Sequence, residues 1–314
     1  MAAILRSPVA RAERVYGGYA PSATFRLRLA NGKRAFFKSS YPAPENSGVI
    51  WVMDREARNY RSLERFIRPW APRFRGSFEH DGWHVLLLED LGPRSVPPWT
   101  RAKARNAARS YARFHQNTLG KRLPRSLPRT GYVEYSRFWR TLGKTGEIAR
   151  TAALAGRRSA EAEEWLAVAI PVLVGHERSL EKARPPFALL HFDTRSDNVR
   201  IHGERLRIFD WPFANAGPAE FDVVAFCQAV AAEGGPDAER VLAWYEEVLP
   251  LRPEMIDASL AGISGYFADR GWRPPIEGLP RVRRWQREQL AECLRWSARR
   301  FHLPEPGWLD AVNR

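Results

Sequence analysis

The stretch Leu189–Phe213, LLHFDTRSDNVRIHGERLRIFDWPF, constrains this chain more than any other. Val199 and Ile201 alternate with polar residues, as do Leu206 and Ile208, and His202-Gly203-Glu204 separates the two runs. Period-two alternation on both sides of a glycine-containing break predicts a short β-hairpin. Folding about Gly203-Glu204 brings Asn198, where the hairpin begins, nearly opposite Asp210, where it ends. Paired strands lie about 4.8 Å apart, so the open end can offer a carboxylate and an amide oxygen to one small hard cation. Asp193, on the loop leading into the hairpin, can face the same space. Any one of these residues is an ordinary turn residue, since Asp and Asn side chains bond nearby backbone. The three together, in this order, suit magnesium-assisted phosphoryl transfer better than a turn role.

At 314 residues, the chain is long enough for two lobes whose cores need no covalent staples. The two cysteines, Cys227 and Cys293, stand in separate helical patterns, which argues for a reducing compartment. The first residues lack an apolar core of signal-peptide length, and Val85–Leu88 is far too short to span a bilayer. A cytoplasmic protein without a membrane partner is therefore expected. The net charge of +15 raises the question of nucleic acid, but 44 of the 50 basic residues are scattered arginines with no binding motif. Residues 217–314 carry 15 acidic and 12 basic side chains, so the excess lies in the first 216. The densest basic group, Arg281, Arg283, Arg284 and Arg287, reads as a solvated helix face. Nucleic-acid binding is not the expected function.

Thr24–Leu29 alternates, as do the residues around Ala35–Lys38, with Asn31-Gly32 between them as a strong hairpin signal. That turn puts Lys38 roughly opposite Phe25 and close to the preceding loop, Gly17–Ser22. A lysine facing a glycine-containing loop can reach phosphates held beneath it. A helix is expected from about 49 to 66, carrying Glu56, which spacing alone assigns equally to an ordinary helix pair or to an ion pair with Lys38. Trp83–Leu88 reads as a buried strand ending at Glu89-Asp90-Leu91, with prolines beyond. Helical patterns appear at about 101–117, 159–183 (broken or kinked at Pro171), 219–234, 237–248, 254–268 and 281–301. His115 reads as a core or helix-end histidine. A strand-rich first 90 residues before a helical remainder indicates an α+β fold in two lobes, 1–90 and 91–314, the hairpin belonging to the second.

The sequence resembles the aminoglycoside phosphotransferase family, the small-molecule branch of the protein-kinase-like fold. The likeness is strongest at His191-Phe-Asp193 with Asn198 and at Ile208-Phe-Asp210-Trp211. Lys38, Glu56, Leu88–Leu91 and Phe114-His115 match more weakly. The resemblance implies a bilobal fold with a small β-rich N-lobe and a larger helical C-lobe, ATP and Mg²⁺ as cofactors, and a small-molecule hydroxyl as acceptor. It makes Asp193 the catalytic base or orienter and gives the metal to Asn198 and Asp210. Lys38, paired with Glu56, would meet the α- and β-phosphates, with Ser22 in the nucleotide loop and the backbone through Glu89 and Leu91 receiving adenine. His191 and Asp222 would support the catalytic loop. Phe192 departs from the family's glycine, and the nucleotide loop lacks the standard glycine pattern. Too few residues separate Asp210 from Asp222 for an activation loop, which argues against a polypeptide acceptor. An aminoglycoside or other antibiotic is one acceptor class; a small metabolite such as a sugar, choline or amino alcohol is another. Glu220, Glu246, Glu247 and Asp269 are candidate partners for a polycation, and Trp244, Tyr266, Phe267 and Trp272 for a bulky neutral molecule. A reading of another class is a non-catalytic nucleotide-binding module that docks a partner through its basic half.

Overall fold

A five-stranded antiparallel sheet in the order β1-β2-β3-β5-β4 occupies the first part of the chain. The computed structural model describes residues 1–16, 22–42, 48–277 and 279–312. A short helix, α1 (Ala2–Leu5), precedes β1 (Val9–Arg14), β2 (Ser22–Leu29) and β3 (Arg34–Ser40). Helices α2 (Gly48–Ser62) and α3 (Glu64–Ile67) then lead to β4 (Phe74–His80) and β5 (Trp83–Leu88). Leu5, Leu27, Leu29, Ala35, Val85 and Leu87 form a buried apolar cluster, and α2 packs against β3, β4 and β5. The register places Lys38 opposite Thr24, one residue from the expected Phe25. The turn is wider than a two-residue Asn-Gly loop, because Leu29 N–H already donates to Lys33 O at 2.9 Å. The edge strands β1 and β4 carry mostly polar or half-buried residues and a register shift each, so their alternation is weak in sequence.

The remaining helices begin with α4 (Arg101–Thr118), whose Thr100 cap accepts from Lys103 N–H at 3.3 Å. Next come α5 (Phe138–Thr145), α6 (Ile148–Ala152) and α7 (Ser159–Glu177). Helix α7 runs unbroken through Pro171, where a kink or a break is expected. Pro171 and Ala167, the residue whose carbonyl loses its partner, are both exposed, so water can satisfy the freed group. Strand β6 (Ala188–Leu190) pairs with β9 (Asn215–Gly217), and between them lies the hairpin of β7 (Val199–His202) and β8 (Arg205–Ile208). Helices α8 (Ala219–Ala232), α9 (Ala238–Glu246), α10 (Pro253–Gly271) and α11 (Val282–Arg300) complete the fold. α10 is buried along most of its length. At Gly262 an added Cβ would stand 2.8 Å from the carbonyl oxygen of Tyr135, so glycine lets that segment approach α10 closely.

The chain divides into two compact units, Met1–Val96 with Ser196–Ala214, and Pro97–Arg195 with Asn215–Arg314. The hairpin therefore goes with the β-rich unit, whereas the sequence pattern groups it with the helices. Its bonds explain the placement. Ile208 N–H donates to Trp70 O at 2.5 Å, Ile201 N–H to Ser95 Oγ at 2.8 Å, and Arg207 to both Ala71 O and Glu89.

Candidate functional site

In the β-rich unit, Lys38 Nζ lies 2.7 Å from Glu56 Oε2 and 2.7 Å from Asp210 Oδ1. β3 presents the lysine between β2 and β5, while α2 supplies Glu56, whose side chain is fully buried. Spacing leaves Glu56 undecided between two partners, and the structure gives it to Lys38. Burial works against the ammonium, but the Asp210 and Glu56 carboxylates outweigh it and hold Lys38 above its ordinary value. Burial likewise pushes Glu56 up, to about 7, against the pull of Lys38. Two carboxylates thus share one counter-charge. Besides Lys38, the backbone of Trp211 also favours the charged form of Glu56. A desolvated ion set of this kind contributes little net stability, and strongly perturbed titrating groups are characteristic of working sites.

Asp210 has φ of 69°, in the left-handed region. The residues just after it are fixed to α2: Asn59 Nδ2 donates to Trp211 O at 2.8 Å, and the Trp51 and Phe213 rings lie 6.4 Å apart. Trp211 itself is fully buried, its indole N–H donating to Ile208 O at 2.9 Å. Asn198 ends a 3₁₀ turn and is buried, and its carbonyl accepts from Phe209 N–H at 3.0 Å, which sets the mouth of the hairpin. Asn198 and Asp210 together offer one amide and one carboxylate, the hard oxygen donors a magnesium ion prefers. Among the described residues no group of three or more His, Cys, Asp or Glu could hold a metal. An ion that completes its shell with nucleotide phosphates and water needs no such cluster.

The nucleotide-side expectations land on specific bonds. Ser22 opens β2, its carbonyl accepting from Arg14 at 3.1 Å; residues Gly17–Pro21 of the expected loop lie outside the described residues. The Glu89 N–H donates to Arg73 O at 2.9 Å, and its carboxylate accepts from Arg73 N–H and Arg207. Leu91 O lies 3.0 Å from His202 Nε2. Both residues thus already have protein partners.

In the helical unit, the loop His191–Thr194 hangs on one buried carboxylate. Asp222, near the start of α8, accepts from Tyr111 OH at 2.6 Å, His191 N–H at 2.5 Å and Phe192 N–H at 3.0 Å. Tyr111 OH also lies 2.6 Å from Thr194 Oγ1. Burial would raise Asp222, but His115 and these donors hold it below its ordinary range. His115 is fully buried in the core, with Nδ1 2.7 Å from Tyr245 OH and Nε2 3.5 Å from Asp222 Oδ2. Phe192 adopts φ of 72°, in the left-handed region that favours glycine. Its ring stacks on Phe221 with centroids 4.9 Å apart and meets Tyr135 edge-on at 5.7 Å. Asp193 itself is partly exposed and is paired with Arg195, Nε to Oδ1 at 3.0 Å. Arg195 in turn lies over the Trp285 ring, 5.1 Å from its centroid. Sequence reasoning passes over Arg195, although its position two residues after Asp193 is a usable signal.

The carboxylates considered for a polycation are largely engaged. Glu220 is buried and bound by Arg252 through two nitrogens at 2.9 and 3.0 Å. Glu247 takes Arg105 and Arg109, and Asp269 takes Arg273 at 2.7 Å and Arg270 at 3.2 Å. Glu246 sits near Arg300 and Glu239. Of the aromatics, Trp244 and Phe267 are buried, Trp272 lies between Arg150 and Arg273, and Tyr266 is half-buried beneath Arg270.

Residues 13–256 match the model of the phosphotransferase enzyme family. No sequence among the curated proteins gives a significant match. Among solved structures, the chain is similar to a candidate fructosamine-3-kinase from Thermobifida fusca YX-ER1, with 21% identity and a TM-score of 0.54 over 94% of this chain and 98% of that one. It is also similar to an aminoglycoside phosphotransferase from Alicyclobacillus acidocaldarius, with 14% identity and a TM-score of 0.56 over 96% of each. A third similar structure is spectinomycin phosphotransferase in complex with ADP and spectinomycin, with 14% identity and a TM-score of 0.54 over 97% of this chain and 92% of that one. At these identities the structures show a shared fold, the bilobal protein-kinase-like one. Among the described residues no helix is long and apolar enough to cross a membrane. With its matched span covering most of its length, the chain belongs to the phosphotransferase enzyme family and is a phosphotransferase whose acceptor is an alcohol group of a small molecule.

Proposed function

We propose that the protein transfers the γ-phosphoryl group of ATP to a hydroxyl of a small molecule, with Mg²⁺, in the cytoplasm. The observation that carries this reading is the lysine held 2.7 Å from both Glu56 and Asp210. It is a desolvated cation placed by three separate segments, with no fold requirement that an apolar trio would not meet better. In the proposed roles, Lys38 neutralises the α- and β-phosphates and Glu56 fixes its direction. Asp193 orients the acceptor hydroxyl and takes its proton. Asn198 and Asp210 would hold Mg²⁺, which when bound supplies charge neutralisation for the transferring group. Ser22 and the backbone from Leu87 to Leu91 are assigned to the nucleotide, with Glu89 limited to its carbonyl because its N–H and carboxylate are engaged. Little covalent work falls to the protein, so positioning and electrostatics provide most of the rate.

The acceptor classes separate on charge. A polycationic aminoglycoside needs available carboxylates, and Glu220, Glu247 and Asp269 are bound by arginines. That favours a neutral or anionic hydroxyl compound, whether an antibiotic or a metabolite, over a polycation. The complete set of Lys38, Asp193, Asn198 and Asp210 argues against a non-catalytic module. The test is ADP release from Mg-ATP by the pure protein across hydroxylated antibiotics, sugars and amino alcohols, with product masses recorded. Turnover in wild type that is lost in Asp193→Ala supports the reading. If wild type releases ADP with no acceptor, and Asp193→Ala behaves identically, the reading fails.

A further inference from the structure

The surroundings of Asp193 within the helical unit are unusual for an acceptor site in a family that includes aminoglycoside kinases. Arg195 pairs with Asp193 and lies over Trp285. Arg270 lies over the Tyr266 ring, 5.6 Å from its centroid. Burial raises the Tyr266 hydroxyl, while the Arg270, Arg195 and Arg283 charges pull it down and the Asp193 charge pushes it further up. Of the arginines read as a solvated helix face, Arg281 and Arg284 are exposed, while Arg283 and Arg287 are half-buried. Arg283 donates to Pro274 O at 2.8 Å and to Gln286 Oε1 at 2.8 Å. Desolvation first, and then the Arg270 charge, hold it below its ordinary value. The only carboxylates among these groups are Asp193 itself and Asp269, and Asp269 is bound by Arg273 and Arg270.

The aromatic rings beside these charges form one connected set. Tyr135 touches Phe192, Phe138 and Tyr266, with centroids 5.7, 5.7 and 5.3 Å apart. Tyr135, Phe138, Phe192 and Tyr266 are all half-buried, so each keeps some surface available to a ligand. Guanidinium groups recognise carboxylate and phosphate oxygens in pairs, and ring faces take up an apolar body.

We infer that the acceptor is an anionic hydroxyl compound, with its carboxylate or phosphate held by Arg270 and Arg283 and its apolar body lying against Tyr135 and Tyr266. This rests on the phosphotransferase reading for the reaction itself.

The experiment compares binding of matched probes to the full chain in the presence of Mg²⁺ and a non-hydrolysable ATP analogue. The probes are phenyl glucoside, phenyl glucuronide, phenyl glucoside 6-phosphate and phenyl glucosaminide. They share the ring and the hydroxyls and differ in charge. At least one anionic probe is expected to bind about tenfold or more tightly than the neutral one, and the better of the two identifies the anion. The cationic probe should be weakest, and added salt should reduce the anionic preference. Arg270→Gln and Arg283→Gln, made separately so that one folded variant suffices, should each lower the anionic-to-neutral ratio to about threefold or less. The inference is overturned if the neutral or cationic probe binds as tightly as both anionic ones, if no probe binds, or if folded variants keep the wild-type ratio. Acceptor-dependent ADP release, and its loss in Asp193→Asn, tests the reaction independently of that outcome.

Discussion

Asp222→Asn is the substitution that most directly tests the support of the proposed catalytic loop. The carboxylate is 1% exposed and accepts from Tyr111 OH, His191 N–H and Phe192 N–H. Asparagine keeps one acceptor oxygen, and its best use is on the side where Tyr111 and His191 both donate. The amide nitrogen then faces Phe192 N–H, leaving a buried donor without an acceptor at a cost of about 1–3 kcal/mol. The other two bonds lose their charge assistance, roughly 1 kcal/mol each. The expected destabilisation is about 3–5 kcal/mol, a large part of a typical domain's stability of about 5–15 kcal/mol. The shift also sets the sign of the pH dependence. Asp222 is depressed below its ordinary 3.8, so its stabilisation is present above that value and is lost as pH falls through the folded-state pKa. The gap between wild type and variant, measured by urea unfolding, should therefore be full at neutral pH and shrink in acid below about pH 4. Loss of the loop's geometry should also cut kcat by about a hundredfold. A loss below 1 kcal/mol at neutral pH together with unchanged kcat would refute the argument that this carboxylate holds the loop.

The same bonds lead to three further expected outcomes. Because burial raises Glu56 to about 7, its stabilisation is full below the ordinary carboxylate range and lost as pH rises through about 7. Wild type should accordingly lose stability relative to Glu56→Gln between pH 5 and pH 8, in paired denaturation curves; a constant gap would contradict it. At Phe192, with φ of 72°, Phe192→Gly should be more stable than Phe192→Ala by about 1 kcal/mol, since both lose the ring but only alanine keeps the left-handed strain. Lys38→Met should weaken binding of a fluorescent ATP analogue by about tenfold or more, as expected for loss of a charge-assisted phosphate contact.

Much of the site is legible in the sequence because its parts lie close together or obey strong local patterns. Strand β5 is where its apolar run puts it, and the hairpin of β7 and β8 is where alternation puts it. Lys38 is legible on its strand, but its partner in the register differs by one residue because the turn after Leu29 is wider than Asn-Gly alone suggests. Strands β1 and β4 are invisible, since edge strands half-exposed to water carry no clean apolar period. α5 and α6 are short, and short helices give little periodicity to read. The arginine group around Tyr266 is hidden for a different reason. Arg195 is far in sequence from Arg270 and Arg283, and in a chain with 44 arginines none stands out. Only folding sets Arg270 over the Tyr266 ring and Arg195 over the Trp285 ring.

The central claim is phosphoryl transfer to a small-molecule hydroxyl, and the most direct measurement is the mass of the acceptor after incubation with Mg-ATP and the pure protein. The account predicts an acceptor heavier by one phosphoryl group, formed in step with ADP by wild type and not by Asp193→Asn. ADP formed without any phosphorylated acceptor across the panel, at the same rate in wild type and variant, would contradict it.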